Sequence, residues 1–164
     1  MKIRIDVFNS ASVDVAIKQL QDYQKRLEEK TEEVVKRLAE IGATKAQADF
    51  SNAQYDGNKD FQITVEKSDN GYVVRASGES VLFVEFGAGV TYGYGHPKAD
   101  EFGMGPGTYP NGKGHWDDPN GWYLPKSAGG GHTMGNAPAL PMYNAEQEIK
   151  ANIERIVKEV FSSD

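Results

Sequence analysis

Phe61-Gln62-Ile63-Thr64-Val65-Glu66-Lys67-Ser68-Asp69-Asn70-Gly71-Tyr72-Val73-Val74-Arg75-Ala76 holds two extended runs around one turn. Phe61, Ile63 and Val65 alternate with Gln62, Thr64 and Glu66, the period of two that gives a strand one core face and one wet face. Ser68-Asp69-Asn70-Gly71 is rich in residues that close tight turns, and the extended pattern resumes at Tyr72. The spacing predicts a β-hairpin. Gly78 and Glu79 interrupt it, and the apolar run over residues 81–86 predicts a further strand. Near the start, Ile3, Ile5 and Val7 alternate with Lys2, Arg4 and Asp6, which predicts a short strand over residues 2–8. These runs add up to an antiparallel sheet of about four strands.

Helices flank that sheet. Val13, Ile17, Leu20, Leu27, Val34, Leu38 and Ile41 recur at steps of three and four, with Gln24 and Thr31 in the two interrupted positions. The pattern predicts a helix over residues 12–41, a rod of about 45 Å. Asn9, Ser10 and Ser12 offer N-cap oxygens, and Gly42 is a natural C-terminal stop. The stripe is narrow, close to the two-per-heptad seam of a coiled coil. It suits either a helix lying on the sheet with a solvated back or one that also packs on neighbouring subunits. Ala46, Ala48, Phe50 and Ala53 predict a second, shorter helix over residues 43–55, closed by Asp56-Gly57-Asn58. Met142, Ala145, Ile149, Ile153, Ile156 and Val160 predict a C-terminal amphipathic helix ending near Phe161. The order β-α-α-β-β-β-insertion-α describes an α+β domain spanning residues 1–164, its sheet packed by a long N-terminal helix and a C-terminal helix.

The insertion, residues 87–137, has its own composition. Fourteen of the 18 glycines fall between Gly87 and Gly135, all seven prolines between Pro97 and Pro141, and both tryptophans and all three histidines lie inside it. A structureless loop of this length is improbable in a compact domain. Its aromatic rings need a surface to bury against, so a small hairpin is expected, residues 114–116 against 122–124 across Asp117-Asp118-Pro119-Asn120-Gly121.

Composition narrows the chemistry. Eighteen Lys and Arg against 24 Asp and Glu give a net charge of -6, which disfavours duplex DNA as a main ligand. The absence of cysteine excludes disulfides, thiolate metal sites and thiol catalysis. No apolar run reaches the length of a bilayer span, and the charged alternation over residues 1–8 is unlike a signal peptide. Asp56-Gly57-Asn58-Lys59-Asp60 begins like a calcium loop, but Phe61 stands where glycine belongs and Lys67 where glutamate belongs. His96, His115 and His132 match no zinc spacing. Histidines in such a polar, Gly-rich segment are usually hydrogen-bonded or exposed. Gly103-Met104-Gly105 lacks the Gly-Lys-Ser/Thr of a phosphate loop, and no Gly-x-Ser-x-Gly turn presents a nucleophile. No catalytic, cofactor-binding or metal residue is expected. Trp116 with Trp122 and Tyr123 could stack on a sugar ring or simply pin the insertion down.

Three blocks carry a family resemblance. Val81-Leu82-Phe83-Val84-Glu85-Phe86-Gly87-Ala88-Gly89 resembles the Tyr/Phe-Val-Glu-Phe-Gly-Thr-Gly strand end of a neck or tail-component family encoded among the head–tail joining genes of long-tailed double-stranded DNA phages and prophages. Gly114-His115-Trp116, Asn120-Gly121-Trp122-Tyr123 and His132-Thr133-Met134-Gly135 are similar to an aromatic insertion of members from Gram-positive hosts. Asn136-Ala137-Pro138-Ala139-Leu140-Pro141-Met142-Tyr143-Asn144-Ala145 is similar to the family's Gln-Pro-Phe-Leu-x-Pro-Ala lead-in to the last helix, here without its Phe.

The resemblance implies an architectural, non-enzymatic virion protein of the head–tail connector, a neck or tail-completion subunit that joins tail to capsid. It implies a homo-oligomeric ring of six or twelve copies. It also implies contacts with other connector and tail-tube proteins, a lumen that passes DNA without sequence-specific binding, and no membrane. Such a protein assembles in the host cytoplasm and resides in the virion neck. Trp116, Trp122, Tyr123, Glu85, Phe86, Leu140 and Met142 are the candidate inter-subunit residues. The alternatives are a small hydrolase or carbohydrate-binding module acting on cell-wall glycan, and a regulatory or toxin-type module of a mobile element.

Overall fold

The computed structural model describes residues 3–6, 8–107 and 117–162. Helix α1 runs unbroken over Ser10–Asn52, about 65 Å at 1.5 Å per residue. Asn9 starts it, with extended backbone and a side-chain oxygen accepting the Ala11 N–H at 3.1 Å. The two helices expected over residues 12–41 and 43–55 are therefore one. Gly42, read as a stop, is buried in mid-helix because α3, Pro141–Phe161, crosses there. A Cβ at Gly42 would stand 2.5 Å from Ile149 Cδ1, so the position uses its missing side chain rather than its backbone freedom.

Two clusters hold α3 against α1. Val34 packs with Ile156 and Val160, flanked by Leu38 and Ile41. Further along, Ala46, Phe50 and Ala53 join Ala145, Val81 and Val84, with Phe61, Ile63 and Ala76 of the hairpin region against them. The two helices are thus antiparallel. Phe50 and Phe61 stack with centroids 5.0 Å apart.

The hairpin forms as expected. Strand β1, Gln62–Ser68, pairs antiparallel with β2, Gly71–Ser77, across Asp69-Asn70. Lys67 and the Tyr72 hydroxyl both donate to Glu32 of α1, fixing the hairpin on the helix. Those donors hold the Glu32 carboxyl below its ordinary range.

Two expected strands are absent among the described residues. Residues 3–6 pair with nothing as strand; the Asp6 N–H donates to Ser12 Oγ at 2.9 Å, turning the segment back along α1. Val81–Phe86 is a helix, α2. Its apolar run reads as strand, but Asp60 accepts the N–H groups of Glu79 and Ser80, each at 2.7 Å, while Ser80 Oγ accepts the Asp60 N–H at 3.2 Å. These reciprocal bonds pin the residues that lead into α2, Glu79 and Ser80, to the segment before β1. Burial raises the Asp60 carboxyl, and the hydrogen bonds from Ser80 and Glu79 outweigh it and leave it lowered.

The α+β class stands, but the four strands do not make one sheet. Strand β3, Trp122–Tyr123, pairs antiparallel with β4, His132–Thr133, as a separate two-stranded ladder. Residues 114–116, the partner expected for residues 122–124, lie outside the described residues. The described parts of the insertion lie on the core. Ala88 and Asn136 exchange backbone hydrogen bonds at 2.8 and 3.1 Å. Thr133 Oγ1 donates to Asp56 Oδ2 at 2.6 Å, and the Asn58 N–H donates to the Ala128 carbonyl at 3.0 Å.

Candidate functional site

The start of α3 is built in an uncommon way. Leu140, at its N-cap, has φ 58°, the one non-glycine residue with positive φ among the described residues. Leucine has no acceptor with which to cap, and Pro141 follows it at the first helical position. The acceptors come from α2 instead. Glu85 Oε2 accepts the Met142 N–H at 2.7 Å and Oε1 the Tyr143 N–H at 3.0 Å. A carboxylate at a helix N-terminus meets both open N–H donors and the positive end of the helix dipole.

Glu85 has a third partner. His96 Nε2 lies 3.0 Å from Oε1, and both side chains are nearly fully buried. His96 Nδ1 accepts the Lys98 N–H at 3.1 Å, so the hydrogen-bond pattern places the ring proton on Nε2, donating to Glu85. The ring packs against Phe86, centroids 4.2 Å apart, and meets Tyr143 edge-on at 5.9 Å. One carboxylate thus ties together α2, the insertion and α3.

Above the pair lies a mostly apolar groove of about 290 Å³, walled by Leu82, Phe86, Phe102, Met142 and Tyr143. Its rim carries Lys98 and Glu146, joined at 2.6 Å. Hydrogen bonds from Lys150 and then Lys98 bring the Glu146 carboxyl down to about 2, and Glu146 holds the Lys98 ammonium above its ordinary value. The Glu85 oxygens and both His96 nitrogens are engaged within the subunit. What the groove presents outward is apolar surface with a charged edge, which suits docking.

The expected interaction residues divide between two places. Glu85, Phe86 and Met142 meet at this groove, with Glu85 as its floor rather than its surface, while Leu140 stands at the N-cap of α3 and does not line it. Trp122 and Tyr123 lie on β3. The Trp122 ring sits over Gly89, where a Cβ would come within 3.3 Å of it. Tyr123 is 79% exposed and meets His132 edge-on at 5.0 Å. Trp116 lies outside the described residues. His96, Phe102 and Tyr143 complete the groove and were not among the expected interaction residues. Both fates expected of histidines occur: His96 is buried and bonded, His132 exposed.

Among the described residues no three His, Asp or Glu side chains gather as metal ligands, and no helix is long and apolar enough to cross a membrane. No protein-family model matches the chain, and no curated protein and no solved structure shows significant similarity to it.

Proposed function

We propose that this chain is a structural subunit of a phage head–tail connector, a ring-forming neck or tail-completion protein that joins tail to capsid and acts without catalysis. The observation that carries this reading is the union of two of the blocks on which the resemblance rests. Residues 81–89 and 136–145 are far apart in sequence yet form one unit: Asn136 Nδ2 donates to the Phe83 carbonyl at 2.8 Å, the Ala139 N–H to the Val84 carbonyl at 2.9 Å, and Glu85 caps the helix that residues 136–145 begin. The shared motif residues therefore build a single joint with an apolar groove beside it. The net charge of -6 fits a lumen that DNA slides through rather than grips.

A ring needs two different, complementary faces on each subunit. Native mass spectrometry of the purified chain tests the reading. Closed species of six or twelve copies are the expected result, alone or after addition of tail-tube or portal proteins. A chain that forms no ring under either condition, and binds neither the tail-tube nor the portal protein, overturns it.

A further inference from the structure

Helix α1 is about twice as long as the helix that covers it. α3 has 21 residues against the 43 of α1. It ends near Lys30, whose ammonium lies 5.7 Å from the Phe161 ring centroid. From Val34 onward the apolar stripe of α1 is covered by Ile156 and Val160. Before Lys30 the four stripe side chains Val13, Ile17, Leu20 and Leu27 are exposed, Leu20 at 53%, although Ala16 beside them is buried.

We propose that a second copy of this chain covers the bare half, its own residues 13–31 running antiparallel to the first. The argument starts from continuity with the interface already present. α3 packs antiparallel on the stripe and stops at residue 30; an antiparallel second α1 takes over where α3 ends and covers what remains. A parallel arrangement would trap both α3 helices between the two α1 stripes. In the antiparallel one, the positive end of the incoming helix also approaches the negative end of α3.

The sequence is self-complementary in that direction. A two-fold axis near residue 22 sets Ile17 against Leu27 of the second copy, Val13 against Thr31, and Leu20 against Gln24. The two Gln24 side chains then fall in adjacent central layers, close enough for their amides to bond across the axis. Polar side chains in such a seam fix register at some expense of affinity. Charge also permits self-association here. Residues 10–30 carry four acidic and four basic side chains, so this rod is neutral while the chain as a whole is at -6. The register brings Asp14 near Glu28 of the second copy, a repulsion that added salt should screen.

This inference does not rest on the connector reading. A two-fold pair saturates at two copies and leaves other faces for a ring. Because the chain has no cysteine, introduced thiols report the register without background. Ile17→Cys and Leu27→Cys are prepared separately; both sites are exposed, so the melting curves should match wild type. Mild oxidation of the mixture should give covalent dimers, and neither variant alone should. Dimers from either variant alone, or none from a folded mixture, overturn the proposal. Leu20→Glu places two charges in the central layers and should weaken self-association about 100-fold in sedimentation equilibrium, with a melting curve unchanged at concentrations where the wild type is monomeric. Unchanged self-association overturns the proposal. A six- or twelve-fold mass that survives Leu20→Glu would keep the connector reading while sinking this one. Pairs that never grow further would do the reverse.

Discussion

Gly42 and Ile149 touch across the α1–α3 crossing with no room for even one methyl group between them: a Cβ on Gly42 would lie 2.5 Å from Ile149 Cδ1 and 2.9 Å from Cγ1. Alanine at position 42 would gain about 1 kcal/mol of helix propensity. Overpacking of roughly 1–3 kcal/mol opposes it. Gly42→Ala should therefore be net destabilising by about 1 kcal/mol in urea denaturation, and Gly42→Leu by more. Ile149→Ala should relieve the clash, so the double variant Gly42→Ala/Ile149→Ala should be more stable than the two single losses add up to. Simple additivity would show that the two sites are not in contact.

Glu85 supports the start of α3 from another element, so its loss should act at a distance along the chain. Glu85→Ala strands the Met142 and Tyr143 N–H groups and the His96 ring in a buried site. The expected cost is about 2–4 kcal/mol, given ~1–3 kcal/mol for each unsatisfied group and partial relaxation. Glu85→Gln keeps one acceptor oxygen and should cost less. Thermal melts followed at 222 nm measure both, and an Ala variant within about 0.5 kcal/mol of wild type would contradict the capping role.

Leu140 occupies the left-handed region, which costs a non-glycine residue about 1–2 kcal/mol. Glycine relieves that strain while raising the entropy of the unfolded chain. Leu140→Gly should leave stability within about 0.5 kcal/mol of wild type, whereas β-branched Leu140→Ile should be clearly destabilised. If the leucine side chain serves association, as the family resemblance implies, Leu140→Gly will also lower the oligomer mass in size-exclusion chromatography with light scattering.

Glu146 should titrate with a midpoint of about 2, followed by its side-chain carboxyl carbon in NMR. Its pKa is depressed in the folded chain. The stabilisation from its ion pairs is therefore complete above the ordinary carboxyl value near 4.5 and is lost as pH falls toward 2. Lys98→Ala removes one of two cationic partners and should move the midpoint upward. An unmoved midpoint would mean that Lys150 alone sets it.

The legible parts of this fold are those decided locally. The hairpin could be read because alternation over residues 61–66 and 72–76 and the Asp69-Asn70 turn agree. α3 could be read from its three- and four-residue steps. The misread parts were decided by residues far away. Gly42 looks like a stop until Ile149 is brought against it. Val81–Phe86 looks like a strand until Asp60, about twenty residues earlier, accepts the N–H groups of Glu79 and Ser80 and sets the chain direction there. Of the strand expected over residues 2–8, the described residues 3–6 pair with no described neighbour, so their alternation has no consequence there. Glu85 stood out as part of a motif, but nothing local shows that its carboxylate faces inward to a helix starting at Pro141. Leu27 belongs to the same stripe as Val34, yet only Val34 lies under α3.

The α1–α3 crossing also sets a timetable for folding. About a hundred residues separate Gly42 from Ile149, and ribosomes add ~5–20 residues per second. The α1 stripe therefore waits roughly 5–20 s after its own synthesis before α3 exists to cover it. During that interval the nascent chain can form the hairpin and dock it through Glu32, but the surface around Val34, Gly42 and Ala46 stays open to chaperones and to other nascent copies. A slower stretch of translation within the insertion would lengthen the exposure, and a faster one would shorten it. The yield of soluble protein should therefore respond to synonymous codon changes between residues 87 and 140, where the amino-acid sequence itself is untouched.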